Sequence, residues 1–565
     1  MKFYLFTLFF VLAAFTSMAQ NIGNIKKQKP FKINGSIGAS ANFYSSNEPI
    51  ATRPPFGWNI YGNFTPTVYG IALPVSFVIN QYGKSYQQPF TMFGLSPTYK
   101  WAKLHLGYRT MQMSPLIFDG QSFRGVGLEL NPKLIRFGAF YGKLNRKINE
   151  DTTSGRFALP QFSRIGYGIK LGVGNNKNFI DFIYFHAKDD STSAKVINKT
   201  NLRSQENTVL GSAFKITLLK KITWTTDAAI SGLTQDLADA KIKTPASGSL
   251  EKLFGKLMPY RNSTIASYAG QSSVSIAIKG YTTNIGYRRV QPDFKSLGTP
   301  YMLNDVELIN WMNNLNLSKG KLNITASISN QHNNLKKNLT SELQTFVSSM
   351  NINAMLSKSL MLNMNYSGYN LKQKDGTIKL KDSVRLNQQI HQFGVMPSYT
   401  MINTAQSHTI SGSINYMLLD DKNPATQKFT NSNNLSGSLN YTIGFLKKSV
   451  NCTVTGLFSQ YKQDTNTYKT YGINLGSSAQ LLKQKQLSLQ GTAGYLLNRS
   501  SLGKVQNNLT FSGSAGFRQK HHSLRIFANY VFTPYNPIND IINKKITQAV
   551  ASKNLAGGIS YNYSF

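Results

Sequence analysis

The twelve residues Asn554-Leu-Ala-Gly-Gly-Ile-Ser-Tyr-Asn-Tyr-Ser-Phe565 alternate apolar and polar character without a break. Successive side chains of a strand point to opposite faces. Leu555, Gly557, Ile559, Tyr561, Tyr563 and Phe565 therefore share one face, and Ala556, Gly558, Ser560, Asn562 and Ser564 share the other. Such a strand separates an apolar medium from water.

The rest of the chain repeats the pattern. In the first clear strand Phe31, Ile33, Gly35, Ile37, Ala39, Ala41 and Phe43 alternate with Lys32, Asn34, Ser36, Gly38, Ser40 and Asn42. Strand pairs then follow, joined by connections of two kinds. Short polar turns include Trp101-Ala-Lys103, Asn131-Pro-Lys133, Leu219-Lys-Lys221, Ser318-Lys-Gly-Lys321 and Lys483-Gln-Lys485. Long polar stretches run over 149–160, 188–206, 235–266, 290–304, 420–427 and 533–547. Short turns on one rim and long loops on the other are the pattern of a transmembrane barrel, with the short rim periplasmic and the long loops extracellular. Counting faces predicts an all-β, antiparallel up-and-down transmembrane β-barrel of about 26 strands, in a range of about 24–26. Expected starts run from 31, 57 and 71 through 383, 406 and 428 to 504, 522 and 548, with 235–290 the hardest stretch to divide.

Composition agrees with alternation rather than with several soluble domains. The 565 residues are 41% hydrophobic and only 15% charged, with a mean hydropathy of −0.27. That is too little charge for so large a soluble surface, and residues beyond 20 hold no apolar run long enough for a membrane helix. The start, Met1-Lys2, an apolar run Phe3–Phe15 and Ser17-Met18-Ala19, reads as a secretory signal peptide over 1–19 cleaved after Ala19. A basic leader over 20–30 then precedes a single barrel over 31–565, and the bacterial outer membrane is the expected location. About ten residues leave no room for an amino-terminal plug domain. The net charge of +39 favours anionic lipid head groups or acidic solutes as partners. An exported barrel meets no nucleic acid. Cys452, the single cysteine, is in phase with Val450 and Val454 and reads as a small lipid-facing residue.

The inner face is expected to be Ser, Asn, Thr and Gly with basic members Lys32, Lys100, Arg109, Arg136, Lys170, Lys279, Arg288 and Arg525. Acids are scarce on it, Glu129 being the clearest, so the lumen should be wet and mildly positive. These cations are the candidate selectivity residues. In Ser249–Leu257 the residues Leu250, Leu253, Phe254 and Leu257 keep helical spacing, with Ser249 as a plausible N-cap. This loop helix either plugs the lumen, meets a partner or rests on the rim. The seven histidines are scattered, His521-His522 falling in a turn, and show no metal-ligand spacing. No nucleophile–base set stands out, so neither an enzyme nor a cofactor is expected. Lysine at the short turns either binds lipid head groups or is simply a soluble turn residue.

Two resemblances add to this reading. The closing strand, with Tyr561, Tyr563 and Phe565, resembles the terminal strand of bacterial outer-membrane barrels, whose aromatic ending is read by the barrel-assembly machinery. The segments 88–109, 125–132 and Arg136-Phe-Gly-Ala-Phe-Tyr-Gly142 resemble a stretch of large outer-membrane β-barrel proteins of Bacteroidota, a family whose function is not established. That likeness implies a barrel and supplies no site residues. Two functions fit. One is a wide conduit for solute or polypeptide, occluded by loops, notably 235–266, or by a partner. The other is an anchor or scaffold for a secretion or surface-adhesion complex, without transport.

Overall fold

The computed structural model describes residues 30–48, 53–81, 92–150, 160–195, 202–242, 248–501, 505–540 and 545–565. Its 28 strand segments form one sheet. Two staves are each split in two, Ile71–Ala72 with Val75–Asn80 and Met92–Leu95 with Thr98–Tyr99, which leaves 26 barrel strands. Pro74 and Pro97 sit at the breaks, where a residue without an N–H cannot continue a ladder. All pairings are antiparallel between chain neighbours, and Phe31–Ser46 pairs with Lys545–Ser564 from Ser36↔Ser564 to Ser46↔Asn554. The sheet thus closes on itself. At the usual strand spacing and tilt a cylinder of this size is about 50 Å across its backbone.

Each expected strand start lies within four residues of the observed one; the widest gaps are 383 against Asn387 and 428 against Ser432. The difficult stretch resolves into Thr264–Ile278 and Tyr281–Val290. Turns on the short rim are as brief as Tyr69-Gly70, Lys100-Trp101 and Lys279-Gly280. Tyr69, Gly70, Lys100 and Gly280 take positive φ there, the twist that two-residue hairpins demand. The expected loop over 533–547 is instead largely ladder, because His522–Asp540 and Lys545–Ser564 extend through it. Its register slips between Thr533 and Ile538, where Pro534 and Pro537 interrupt the pairing.

The outer wall is the apolar one. Along Ser163–Gly174 the residues Ile165, Ile169, Leu171 and Val173 are exposed, while Gly166, Gly168 and Gly172 between them are buried. Cys452 lies in the outward row through Ser477, its Sγ 3.8 Å from the Ser477 hydroxyl. The loop helix Ser249–Leu257 rests on this outer wall. Its Phe254 is fully buried over Gly232, where even a Cβ would come within 2.5 Å of the ring. Gly232 shares its outward face with Ile230, so the helix does not enter the lumen. Ser249 is its first helical residue rather than its cap; Gly248 holds the cap position without a side-chain hydrogen bond.

Candidate functional site

The inner wall is not uniformly wet. Cross-strand partners lie on the same face, so the register reveals layers. Arg136, Gly172, Asp181, Ala213, Asp227, Gln271 and Arg288 form one inward row. One step towards the long-loop rim, Ile183, Gly211, Ala229, Ala269, Val290 and Val306 form the next. A step further lie Phe140, Gly168, Phe185 and Val209. In this sector a charged layer supports two apolar layers that face inward.

Two connections cover those apolar layers. Residues 111–121, between Ala102–Thr110 and Ser122–Leu130, bring Leu116, Ile117 and Phe118 in with no measurable exposure. Residues 291–305 add Phe294 and Leu297. Phe118 stacks on Phe140 at 4.3 Å and meets Phe185 at 5.7 Å, and Phe123 stacks on Phe140 at 4.8 Å. Inner-wall glycines are the seats: a Cβ on Gly211 would lie 2.6 Å from Ile117, and one on Gly168 would lie 3.1 Å from the Met113 sulfur.

Hydrogen bonds pin the two loops to the wall and to each other. The Ser114 hydroxyl donates to Asp227 at 2.9 Å, and Gln271 donates to the same carboxylate at 3.0 Å. Asn207, fully buried, donates to the Ser231 hydroxyl and the Gly232 carbonyl and accepts from the Leu297 amide at 3.0 Å. The Ser296 hydroxyl donates to the Ile117 carbonyl at 2.6 Å, and the Asp119 amide to the Gly298 carbonyl at 3.1 Å. Each buried polar group in this set has a partner, which makes the arrangement a packed plug rather than a collapsed loop.

The predicted lumen cations divide into three groups. Lys32, Arg136, Lys170, Arg288 and Arg525 face inward. Arg109 also points inward but acts as a clamp: its guanidinium reaches the carbonyls of Pro74 and Gly94 and the Ser76 hydroxyl, filling the ladder gap left at Pro74. Lys100 and Lys279 are not lumen residues, because each lies in a two-residue turn on the short rim, Lys100 over the Tyr99 ring. The charge balance also differs from expectation. Arg136 holds Asp181 in a bidentate pair at 2.7 and 2.9 Å, and Arg164 holds Asp189 likewise. Asp181, Asp189 and Asp227 all face inward beside Arg136, Arg164, Lys170, Lys215 and Arg288, so acids are more frequent here than expected and the remaining positive excess is small.

Sequence spacing did not reveal a chain of three side chains from separate strands and a loop. The Ser96 hydroxyl lies 3.2 Å from His105 Nδ1, and His105 Nε2 lies 2.6 Å from Glu129, which Lys103 also approaches at 3.5 Å. Ser96 and His105 are 5% and 2% exposed, so neither presents an atom to a substrate. The terminal aromatics are placed as expected at the closing seam. Tyr561 and Tyr563 are in the outward row, the Tyr563 and Phe565 rings meet edge-on at 5.2 Å, and the Phe565 amide donates to the Gly35 carbonyl at 2.9 Å. His522 is exposed, as its turn suggested, with its Nδ1 2.6 Å from the Tyr561 hydroxyl.

The fold is a closed antiparallel β-barrel of 26 strands with an apolar outer wall. No protein family matches the sequence, and no curated protein does. Among solved structures the chain is similar to the siderophore receptor PirA from Pseudomonas aeruginosa, at 9% identity over 95% of this chain and 81% of that one, with a TM-score of 0.37. It is similar to BauA, the ferric preacinetobactin receptor from Acinetobacter baumannii, at 9% identity over 94% and 81%, with a TM-score of 0.35. It is also similar to Pseudomonas aeruginosa OpdQ, at 11% identity over 60% and 93%, with a TM-score of 0.34. Likeness at this level carries no function to the chain. The barrel stands on its own hydrogen-bond ladder.

Proposed function

We propose that the protein is a bacterial outer-membrane conduit whose bore is narrowed by its own loops, 111–121 and 291–305. The observation that carries this reading is the pair of loops packed inside the wall on a dedicated apolar bed. Barrels of about 16–18 strands already leave an aqueous channel, so one of this girth needs an internal obstruction to be tolerable to a cell. Beyond Val306 the inner face turns to Asn, Ser, Thr and Gly, for example Asn440, Thr442 and Gly444 opposite Thr455, Thr453 and Asn451. That polar sector is the passage. Solute or polypeptide is the cargo class, and the plug differs from the expected one, since the helix of 249–257 rests outside.

The same reading takes residues 1–19 as a signal peptide and Tyr561, Tyr563 and Phe565 as the ending read by the barrel-assembly machinery. It keeps the kinship with barrels of Bacteroidota and assigns no catalysis. Planar-bilayer recordings of the purified protein test it. Small, noisy currents are expected, rising in a variant lacking residues 293–303. Silence in both, with a partner protein copurifying from outer membranes, would overturn the conduit and leave the scaffold.

A further inference from the structure

We infer that the outer wall carries a binding site for the phosphate of an outer-leaflet lipid, with the acyl chains lying along the barrel. A pocket of about 820 Å³ opens on the exterior, where Arg124, Lys143, Arg146 and Lys147 converge beside Tyr108 and Phe93. Tyr108, Arg124 and Lys143 are cross-strand partners in one outward row. Their height is fixed by the strands. Tyr108 is two residues below the end of Ala102–Thr110, Arg124 two below the start of Ser122–Leu130, and Lys143 two below the end of Ile135–Asn145. The pocket therefore sits just under the long-loop rim, where the head groups of the outer leaflet lie.

Charge and surface both select the occupant. Among the described residues Arg124, Lys143 and Lys147 face one carboxylate of the lining, Asp190, and that one is occupied by the Thr192 hydroxyl at 2.8 Å and the Thr192 amide at 3.1 Å. Two outer-wall cations elsewhere are matched, Lys188 by Glu206 at 3.3 Å and Lys374 by Glu342 at 3.5 Å. Among the described residues none of Arg124, Lys143 and Lys147 has such an acidic partner within 4 Å. Directly below, two positions further along their strands, Val126 and Tyr141 are paired and 51% and 57% exposed. A soluble anion would use the cations and ignore the apolar strip. A phosphorylated amphiphile uses both, its phosphate gaining charge-assisted hydrogen bonds and its chains replacing bulk lipid against Val126, Tyr141 and Ile165. The inference rests on the exterior facing lipid and is independent of whether anything passes through the bore.

Native mass spectrometry of the full-length protein released from detergent tests it, with three probes: diphosphoryl lipid A, the same lipid after removal of its phosphates, and inorganic phosphate. Adducts are expected with the phosphorylated lipid alone. Arg124→Gln combined with Lys143→Gln should lower them about tenfold, and Lys143→Arg should retain them. Lys220→Gln with Lys221→Gln, on the opposite rim, should leave them unchanged. Heat-modifiable gel migration verifies that each variant is folded. Equal adducts with the dephosphorylated lipid, displacement of the lipid by equimolar inorganic phosphate, or equal losses in the opposite-rim variant would each overturn the proposal.

Discussion

Phe118→Ala is the sharpest perturbation of the internal plug. The ring has no exposed surface, stacks on Phe140 at 4.3 Å and touches Phe185 at 5.7 Å. Removing a buried phenylalanine from a packed site costs about 3–5 kcal/mol. The loss falls on docking of the loop rather than on the barrel, because the ladder of the wall is untouched. At about 1.4 kcal/mol per factor of ten, the undocked population should rise about a hundredfold to a few thousandfold. Hydrogen exchange reads this directly. The amides of Met113, Ile117 and Phe118 bond within the loop, and that of Asp119 bonds to the Gly298 carbonyl, so protection at these four positions should fall by that factor. Amides of the wall strands should keep theirs. Bilayer conductance should rise in parallel. Unchanged exchange at Asp119 would refute the packing argument, and increased exchange without increased conductance would refute the assignment of these loops as the constriction.

Other outcomes follow from the same geometry. Arg136→Met strands the buried Asp181 carboxylate and should cost about 3–5 kcal/mol, whereas Arg136→Met with Asp181→Leu should recover most of it; denaturant midpoints in detergent check the cycle. Glu48 lies outside the membrane strands, at the closing seam. Hydrogen bonds from Ser552 and Asn554 hold its carboxyl below the ordinary range. A depressed carboxylate adds stability that is complete above its unfolded value and vanishes as pH falls through the folded one. The temperature of heat-modifiable unfolding should therefore fall with acid across the carboxylate range, and Glu48→Gln should flatten that fall. Arg525, exposed to the lumen in the polar sector, tunes the passage: Arg525→Glu should shift reversal potentials in a salt gradient towards cations, and no shift would remove it from the permeation path.

A period of two states which face a side chain is on, but not what that face meets. For the outer wall the distinction vanishes, since one medium covers nearly all of it, and Ile165, Leu171 and Val173 were legible for that reason. For the inner wall it matters. Phe140 is in phase with Arg136, and Phe185 with Asp181 and Asp189, so the sequence already holds aromatic residues on a face otherwise polar. Read as alternation alone they look like noise. Together with Leu116-Ile117-Phe118, an apolar run inside a connection, they are the two halves of one contact. Lys100 and Lys279 failed for a different reason: at a two-residue turn the alternation ends, and a shift of one residue moves a lysine from the last rung to the rim. The glycines complete the argument. Gly168 and Gly211 were consistent with a small, wet lumen lining, yet each is a seat that a Cβ would fill beneath Met113 or Ile117. In a barrel too wide to leave open, inner-face glycines next to inner-face aromatics mark where the chain folds back upon its own wall.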